Sequence, residues 1–350
     1  MNPGTLLIRA DASAAIGTGH VMRCLALAQA WQDAGGCVTF AMAESTPAIK
    51  DRLSNEGVRL IEIPGPPGSG AELEQTTALA RSCAASWVVA DSYEFDAGYQ
   101  RALKDAGLKV LLVDDNGRSG SYAADVILNQ NIHARENLYQ DRAEHTKLVL
   151  GTKYALLRRE FASGPGDQRE IPPVARKILV AMGGSDPDNI TLRAMQAMDH
   201  VLVPDLQMSV VVGGSNPHLA AIAESAARAR HSCRILQNVA NMRALIAWAD
   251  LAISAAGSVC WEYCALGLPA VVVTVAENQV LAAEALHTAG AARLVPGGAR
   301  FAIVEMAQLI TRLAHSREER QSLSRVGRTV VDGGGASRVV SILLSGGPRS

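Results

Sequence analysis

A histidine just after a pair of glycines is the first feature of this chain that could do chemistry. In residues 8–24, IRADASAAIGTGHVMRC, Gly17 and Gly19 stand immediately upstream of His20. An imidazole exchanges protons near neutral pH and can act as a general base. Glycines let backbone come close to a ligand. Residues 6–9 form a short apolar run that predicts a strand, and Val21, Leu25, Ala28 and Trp31 recur at helical spacing after His20. Strand, small-residue loop and helix therefore put the histidine at a helix mouth. Open parallel sheets bind ligands outside the carboxyl ends of their strands, where such loops lie. The competing reading is a helix-start histidine that only hydrogen-bonds locally, and the two glycines bring the readings to parity. Of the other histidines, only His133 lies near first-domain strand ends; the rest read as surface residues.

Three further places offer binding chemistry. Gly183-Gly184-Ser185 follows an apolar run at 178–181 and precedes a helical stretch at 189–200. Small residues there can cradle a phosphate on backbone N–H groups and the positive helix end. The spacing is neither a Walker A loop nor a dinucleotide fingerprint, so a plain turn capped by Asp186 or Asp188 competes. Residues 255–258, Ala-Ala-Gly-Ser, repeat that arrangement, with Glu262 one turn into the next helix. A carboxylate there could accept two ribose hydroxyls, or simply be a solvated helix glutamate. Asn278 and Gln279, after a strand at 269–274, supply uncharged donors for sugar hydroxyls, acetamido groups or phosphate, unless they are ordinary loop polarity. Asp11, Asp91, Asp114 and Asp115 fall at separate strand ends without the spacing of a magnesium or zinc site, so capping and turn roles are expected and no metal. Tyr93 could orient a substrate or a water, or pack half-exposed. Arg158 and Arg159 read as surface charge, although an arginine near the domain junction could meet a diphosphate.

These residues need sheets to position them. Short apolar runs at 6–9, 37–42, 58–63, 87–90, 110–113 and 126–128 predict strands, with helical stretches at 73–83 and 95–106. After the Gly/Pro/charge-rich segment 163–175, SGPGDQREIPPVA, the alternation restarts and runs to about residue 331. Strands alternating with helices imply parallel, doubly wound sheets. The expected organisation is a domain at 1–162, a linker at 163–176, a second domain at 177–335 and a tail at 336–350, with a ligand cleft between the domains. The 350 residues are 48% apolar and carry a formal charge of −1, which removes any overall electrostatic case for nucleic acid or a membrane surface. No apolar run approaches the ~20 residues of a membrane span, and the N-terminal residues lack a signal-peptide pattern. Six scattered cysteines without a C-x-x-C pair suit reduced thiols in the cytoplasm.

Taken in order, IRADASAAIGTGHVMRC, Asp91-Ser92-Tyr93, VDDN at 113–116, LNQN at 128–131, YALLRREF at 154–161, MGGSDPDN at 182–189, SAAGSVCWEYCALGLP at 254–269 and Asn278-Gln279 resemble the UDP-sugar hydrolases of pseudaminic acid biosynthesis, which supply flagellin glycosylation and are relatives of MurG-like glycosyltransferases. The resemblance implies an α/β GT-B fold, two Rossmann-like domains with parallel sheets facing a central cleft. It implies a monomeric enzyme that hydrolyses UDP-2,4-diacetamido-2,4,6-trideoxy-β-L-altropyranose to UDP and the free sugar. Water would attack C1 with inversion, and no metal or other cofactor would be needed. Carried over by motif, His20 would activate the water. Gly17, Tyr93, Arg158 and Asn278 would hold the sugar or water, with Gln279 near the sugar–phosphate junction. Gly184, Ser185, Ser258 and Glu262 would hold UDP. A MurG-like transferase using the same donor site is the alternative enzyme, and a nucleotide-sugar-binding protein without turnover is the alternative class.

Overall fold

A computed structural model describes residues 3–13, 17–161 and 169–345. The chain divides into two units, 1–162 with 333–350, and 163–332.

The first unit is built on β1 (Thr5–Ala10), α1 (Gly19–Asp33), β2 (Cys37–Met42), α2 (Pro47–Asn55), β3 (Arg59–Glu62), α3 (Gly70–Ser82), β4 (Ala85–Asp91), α4 (Ala97–Asp105), β5 (Val110–Val113), β6 (Val126–Asn129) and β7 (Lys147–Leu150). Its seven strands are all parallel, in the order β3-β2-β1-β4-β5-β6-β7. The central strands are apolar on both faces because each face is covered by helices. Leu6 and Ile8 of β1 point into a layer shared with Val21, Leu25 and Trp31 of α1. Leu7, between them, points into the opposite layer with Tyr99 and Leu103 of α4. The strand order reverses between β1 and β4, so the loops after these two strands flank the crevice of the sheet.

The second unit comprises β8 (Lys177–Ala181), α5 (Ile190–Met198), β9 (Gln207–Val212), α6 (Leu219–Arg228), β10 (Ser232–Gln237), α7 (Met242–Trp248), β11 (Leu251–Ala255), α8 (Val259–Leu266), β12 (Ala270–Val273), α9 (Val280–Thr288), β13 (Arg293–Leu294), α10 (Ile303–His315) and α11 (Arg317–Val330). Its six parallel strands run β10-β9-β8-β11-β12-β13, with the reversal between β8 and β11. The loops at 182–189 and 256–258 follow these two strands.

Two sequence-based boundaries are corrected. The expected tail at 336–350 is instead a helix, α12 (Gly335–Ser345), that returns to the first unit. Val339, Val340 and Leu343 recur on one face and join the apolar layer of α1. The Leu343 carbonyl accepts from Trp87 Nε1 at 3.2 Å. Gly335 is required where α12 meets the 3-10 turn at 152–154 and its end: a Cβ there would lie 2.2 Å from the Ala155 carbonyl oxygen. The expected linker 163–176 lies partly outside the described residues, and its described part belongs to the second unit. Arg169 donates to the carbonyls of Ile246 and Ala249 at 2.5 Å and of Leu266 at 3.2 Å, tying residue 169 to the carboxyl ends of α7 and α8. Arg317 Nε donates to Ile171 O at 2.8 Å, and Ala175 N donates to Ala314 O at 2.9 Å.

Candidate functional site

In the first unit the loop after β1 carries Gly17 at φ +74°, a conformation that suits glycine, and Gly17 N–H donates to Ser13 O at 2.8 Å. Residues 14–16 of the same loop lie outside the described residues. The loop delivers the chain into α1, whose N-cap Thr18 makes no side-chain cap, so His20 sits in an uncapped first turn. Neighbouring β4 ends on Asp91, which is fully buried. His20 Nδ1 lies 3.3 Å from Asp91 Oδ1, with the imidazole 11% exposed. A carboxylate only accepts, so this contact calls for hydrogen on Nδ1 and leaves the Nε2 lone pair as the acceptor. The Tyr93 ring meets the His20 ring edge-on, with centroids 5.0 Å apart and planes at 79°.

Arg23, one turn beyond His20 on α1, organises the carboxylates. Its Nη2 and Nε donate to Asp91 Oδ1 and Oδ2 at 2.6 and 2.7 Å, a two-pronged contact. Its Nη1 donates to both oxygens of Asp115 at 2.7 and 2.9 Å. Asp115 also accepts from Asn131 Nδ2 at 2.9 Å and from the Tyr93 hydroxyl at 3.2 Å. The Cys24 thiol donates to Asp91 Oδ2 at 3.2 Å. Burial by itself would raise the carboxyls of Asp91 and Asp115, but Arg23 outweighs it, assisted by His20. Asp91 is held below the usual carboxylate range, and Asp115 falls to about 2. Burial pushes the Cys24 thiol well up, and Asp91 pushes it further, so it stays protonated. Two carboxylates facing one guanidinium leave a single uncompensated negative charge, which a protonated His20 would neutralise. His133 reaches this group only at its edge, with Nε2 3.2 Å from the Asp115 carbonyl oxygen, and burial lowers its pKa.

His20 and Tyr93 are thus brought together, with Gly17 three residues upstream of the histidine. Arg158 stands just before the 3-10 turn at 159–161. It pairs with Glu160 at 2.8 Å and lies over the Phe161 ring. The adjoining Arg159 binds Gln29 and Asp33 at the far end of α1. Nine residues of helix between positions 20 and 29 span roughly 14 Å.

In the second unit the two small-residue loops, alike in sequence, differ in what their helices offer. Asp186, at φ +42°, accepts from the N–H groups of Ile190 and Thr191 at 2.7 and 2.9 Å and from the Thr191 hydroxyl at 2.5 Å. Asn189 accepts from Leu192 N–H at 3.3 Å. The amino end of α5 is therefore already filled by side chains. Of the two readings of this loop, the turn capped by Asp186 is the arrangement seen, and Gly184 and Ser185 lie just before that cap. Gly213 packs against this loop so closely that a Cβ would sit 2.0 Å from the Gly184 carbonyl oxygen. By contrast, Ser258 at the start of α8 makes no side-chain cap. Glu262 stands in the first turn of α8. Gln279 accepts from Val275 N–H at 3.1 Å through Oε1 and turns its Nε2 towards Gly257, 4.0 Å from the position of a Cβ there. Ser258, Glu262 and Gln279 therefore gather at one uncapped helix end, with Asn278 beside Gln279 in the 3-10 turn at 277–279. Among the described residues no cluster of three or more His, Cys, Asp or Glu side chains could hold a metal ion, and no helix is long and apolar enough to cross a membrane.

Residues 178–328 match the glycosyltransferase family 28 C-terminal domain. The spore coat polysaccharide biosynthesis protein SpsG of Bacillus subtilis is 30% identical over 235 residues, which is 67% of this chain and 68% of SpsG. The chain belongs to the SpsG family. A UDP-2,4-diacetamido-2,4,6-trideoxy-β-L-altropyranose hydrolase of Campylobacter jejuni is 27% identical over 218 residues, 61% of this chain and 71% of that protein. Among solved structures, MurG of Acinetobacter baumannii superposes with a TM-score of 0.65 at 18% identity, over 98% of this chain and all of that one. Anabaena Alr3699/HepE, solved in complex with UDP-glucose, superposes with a TM-score of 0.64 at 15% identity, over 97% of this chain and 99% of that one. The two Rossmann-like units are those of a GT-B-type fold.

Within this SpsG-family chain, the residues that sequence reasoning passed over are the charged partners of the histidine. Asp91 and Asp115 serve neither as caps nor as turn formers, as had been expected of them; they are the two carboxylates of Arg23. Asp114 does keep a turn role, accepting from the N–H groups of Asn116 and Gly117 at 2.8 and 2.6 Å. Asp11 instead ties the end of β1 to the residues after β2, accepting from Ala43 and Glu44 N–H at 2.7 and 3.0 Å, and pairs with buried Arg9 at 2.6 Å. The available signal was His20-x-x-Arg23, an i,i+3 pair on one helix face next to the carboxyl ends of the strands.

Proposed function

We propose that this chain cleaves the bond between the sugar C1 and the diphosphate of a UDP-sugar, with His20 as the base for the attacking oxygen. The observation that carries the reading is the His20 imidazole held through Nδ1 by the buried Asp91, which leaves Nε2 free to accept a proton. In the reaction Nε2 takes the proton of an attacking O–H, the new O–C1 bond forms, and UDP departs with the electron pair of the broken bond. The imidazolium that results is stabilised by the uncompensated carboxylate charge of Asp91 and Asp115. Such a base is worth about 10²- to 10⁴-fold. Negative charge grows on the leaving diphosphate. The uncapped start of α8 offers backbone N–H groups and the positive helix end to it, with the Gln279 amide beside them. Glu262 would accept the ribose hydroxyls, and Gly184 and Ser185 would line the nucleotide. Gly17, Tyr93 and Asn278 would hold the sugar. Arg158 would join them in holding the sugar.

The identity of the attacking oxygen separates two readings. The match of residues 178–328 to a glycosyltransferase domain, and the glycosyltransferase folds it superposes on, favour an acceptor hydroxyl, and hence a UDP-sugar glycosyltransferase. The similarity to the Campylobacter hydrolase supports the second reading, water as nucleophile and the diacetamido altropyranose as the sugar, with inversion at C1. An NMR time course with that UDP-sugar and no acceptor distinguishes them. Stoichiometric UDP and free sugar establish hydrolysis, and their anomeric form reports inversion. UDP release that requires an added saccharide acceptor establishes transfer. His20→Ala is expected to lose at least about 10²-fold in kcat while still binding UDP, and EDTA is expected to leave turnover intact. UDP binding without product from any UDP-sugar, with or without acceptor, would overturn the enzymatic reading.

A further inference from the structure

The His20–Asp91 contact does not stand alone: Asp91 Oδ1 lies 3.3 Å from His20 Nδ1 and accepts from Arg23 Nη2 at 2.6 Å. The shorter partner is a permanent cation, is 6% exposed, and is held on its other side by Asp115. We propose that Arg23 is a positioning residue that meters the negative charge Asp91 presents to His20, and that Asp115 sets how much of Arg23 is available to do so. The inference rests on His20 being the base only for its kinetic consequence; the electrostatic claim concerns the free protein.

The physical argument is a competition for one oxygen. A lone buried carboxylate beside an imidazole strongly favours the imidazolium, which would leave the base already protonated near neutral pH. A guanidinium on the same oxygen neutralises most of that pull and leaves enough to orient the ring. Asp115 then draws on the remaining N–H of the fork, with bonds of 2.7 and 2.9 Å, and returns one negative charge to the group. The ionisable groups around this set are Asp91 and Tyr93 from the end of β4, Arg23 and Cys24 from α1, Asp115 from the loop after β5, and His133 at the Asp115 carbonyl. Spacing supports the assignment: positions 20 and 23 share one helix face, so one turn delivers both base and cation to the same strand end.

The test titrates the His20 ring by two-dimensional NMR of the full chain without substrate, the signal assigned by its loss in His20→Ala. Four proteins are compared: wild type, Arg23→Gln, Asp115→Asn and the double variant. Arg23→Gln is expected to raise the His20 midpoint by about 1 pH unit or more, and Asp115→Asn to lower it by a similar amount. The double variant restores the net charge and should return the midpoint close to wild type, an effect that simple loss of packing would not produce. If Arg23→Gln does not fold, Asp115→Asn alone still decides the matter through the direction of its shift. Equal midpoints in the folded variants, or an upward shift with Asp115→Asn, would overturn the proposal. The acidic limb of the kcat profile with a UDP-sugar should move in step with the NMR midpoints. Moved midpoints with an unmoved limb would uphold the role of Arg23 and reject His20 as the base.

Discussion

Asp91→Asn is the most searching single perturbation of this site, because it changes one atom type in a buried group with three partners. The side chain keeps its shape, but it can no longer accept on both sides. In the wild type it accepts from Arg23 at 2.6 and 2.7 Å and from Cys24 at 3.2 Å, and lies 3.3 Å from His20 Nδ1. In either orientation the amide NH₂ meets an Arg23 donor, and at the Oδ1 position it meets the imidazole as well. Removing one partner of a buried ion pair costs about 3–5 kcal/mol. Arg23 retains two bonds to Asp115, so the lower end, about 3 kcal/mol, is expected. In a unit of this size that is a fall in Tm of about 6–12 °C. Catalysis should fall further than stability explains. A unit charge pair at this separation is worth at most about 5 kcal/mol at an effective dielectric of 20, and Arg23 shares the same oxygen. An amide NH₂ turned to Nδ1 would also drive hydrogen onto Nε2 and abolish the acceptor. We therefore expect kcat, followed by UDP release at about pH 7, to drop about 10²- to 10⁴-fold with UDP affinity unchanged. A variant that melts early yet keeps kcat within about threefold of wild type, with the same pH profile, would refute the reasoning and reduce Asp91 to scaffolding.

The other expectations concern stability and nucleotide binding. Asp115 has a folded-state pKa of about 2 against an ordinary 3.8, so its ionised form favours folding; the contribution, about 2 kcal/mol, is complete above about pH 4 and lost as pH falls towards 2. Urea midpoints measured down that range should decline in wild type and decline less steeply in Asp115→Asn, and equal slopes would remove the assignment. Asp186→Ala deletes three hydrogen bonds at the start of α5 and should destabilise the second unit by about 1–2 kcal/mol. UDP affinity in that variant, measured by calorimetry, should hold, because the diphosphate is assigned to α8; a large loss would move the assignment to the 182–189 loop. Leu343→Ala should cost about 2–5 kcal/mol through the cavity it leaves beneath α12, seen as earlier melting of the first unit alone.

The sheets were legible because their strands are short apolar runs ending in polar residues, a pattern that buried parallel strands impose whatever their neighbours. α12 was not legible as part of the first unit. Its apolar face at Val339, Val340 and Leu343 looks like any terminal helix until Gly335 is seen against the Ala155 carbonyl, a contact across 180 positions of sequence. β7, with four residues at the sheet edge, carries too short a pattern to stand out from its loop. The same limit divides the candidate site. His20 could be picked out because glycines and a helix start mark it locally. The contrast between α5 and α8 could not, because a cap is a matter of where one side chain turns: Asp186 bends back onto its own helix, and Ser258 does not. The charge balance around His20 was hidden for a different reason. Asp91 and Asp115 stand 68 and 92 positions from Arg23, and each alone resembles an ordinary strand-end aspartate. Only the parallel pairing of β4 with β1 and β5 brings both to one guanidinium. A strand-end carboxylate should therefore be weighed by which cations the strand order delivers to it. By that measure the pair to test first here is His20 with Arg23, one turn apart and both within 3.3 Å of a single Asp91 oxygen.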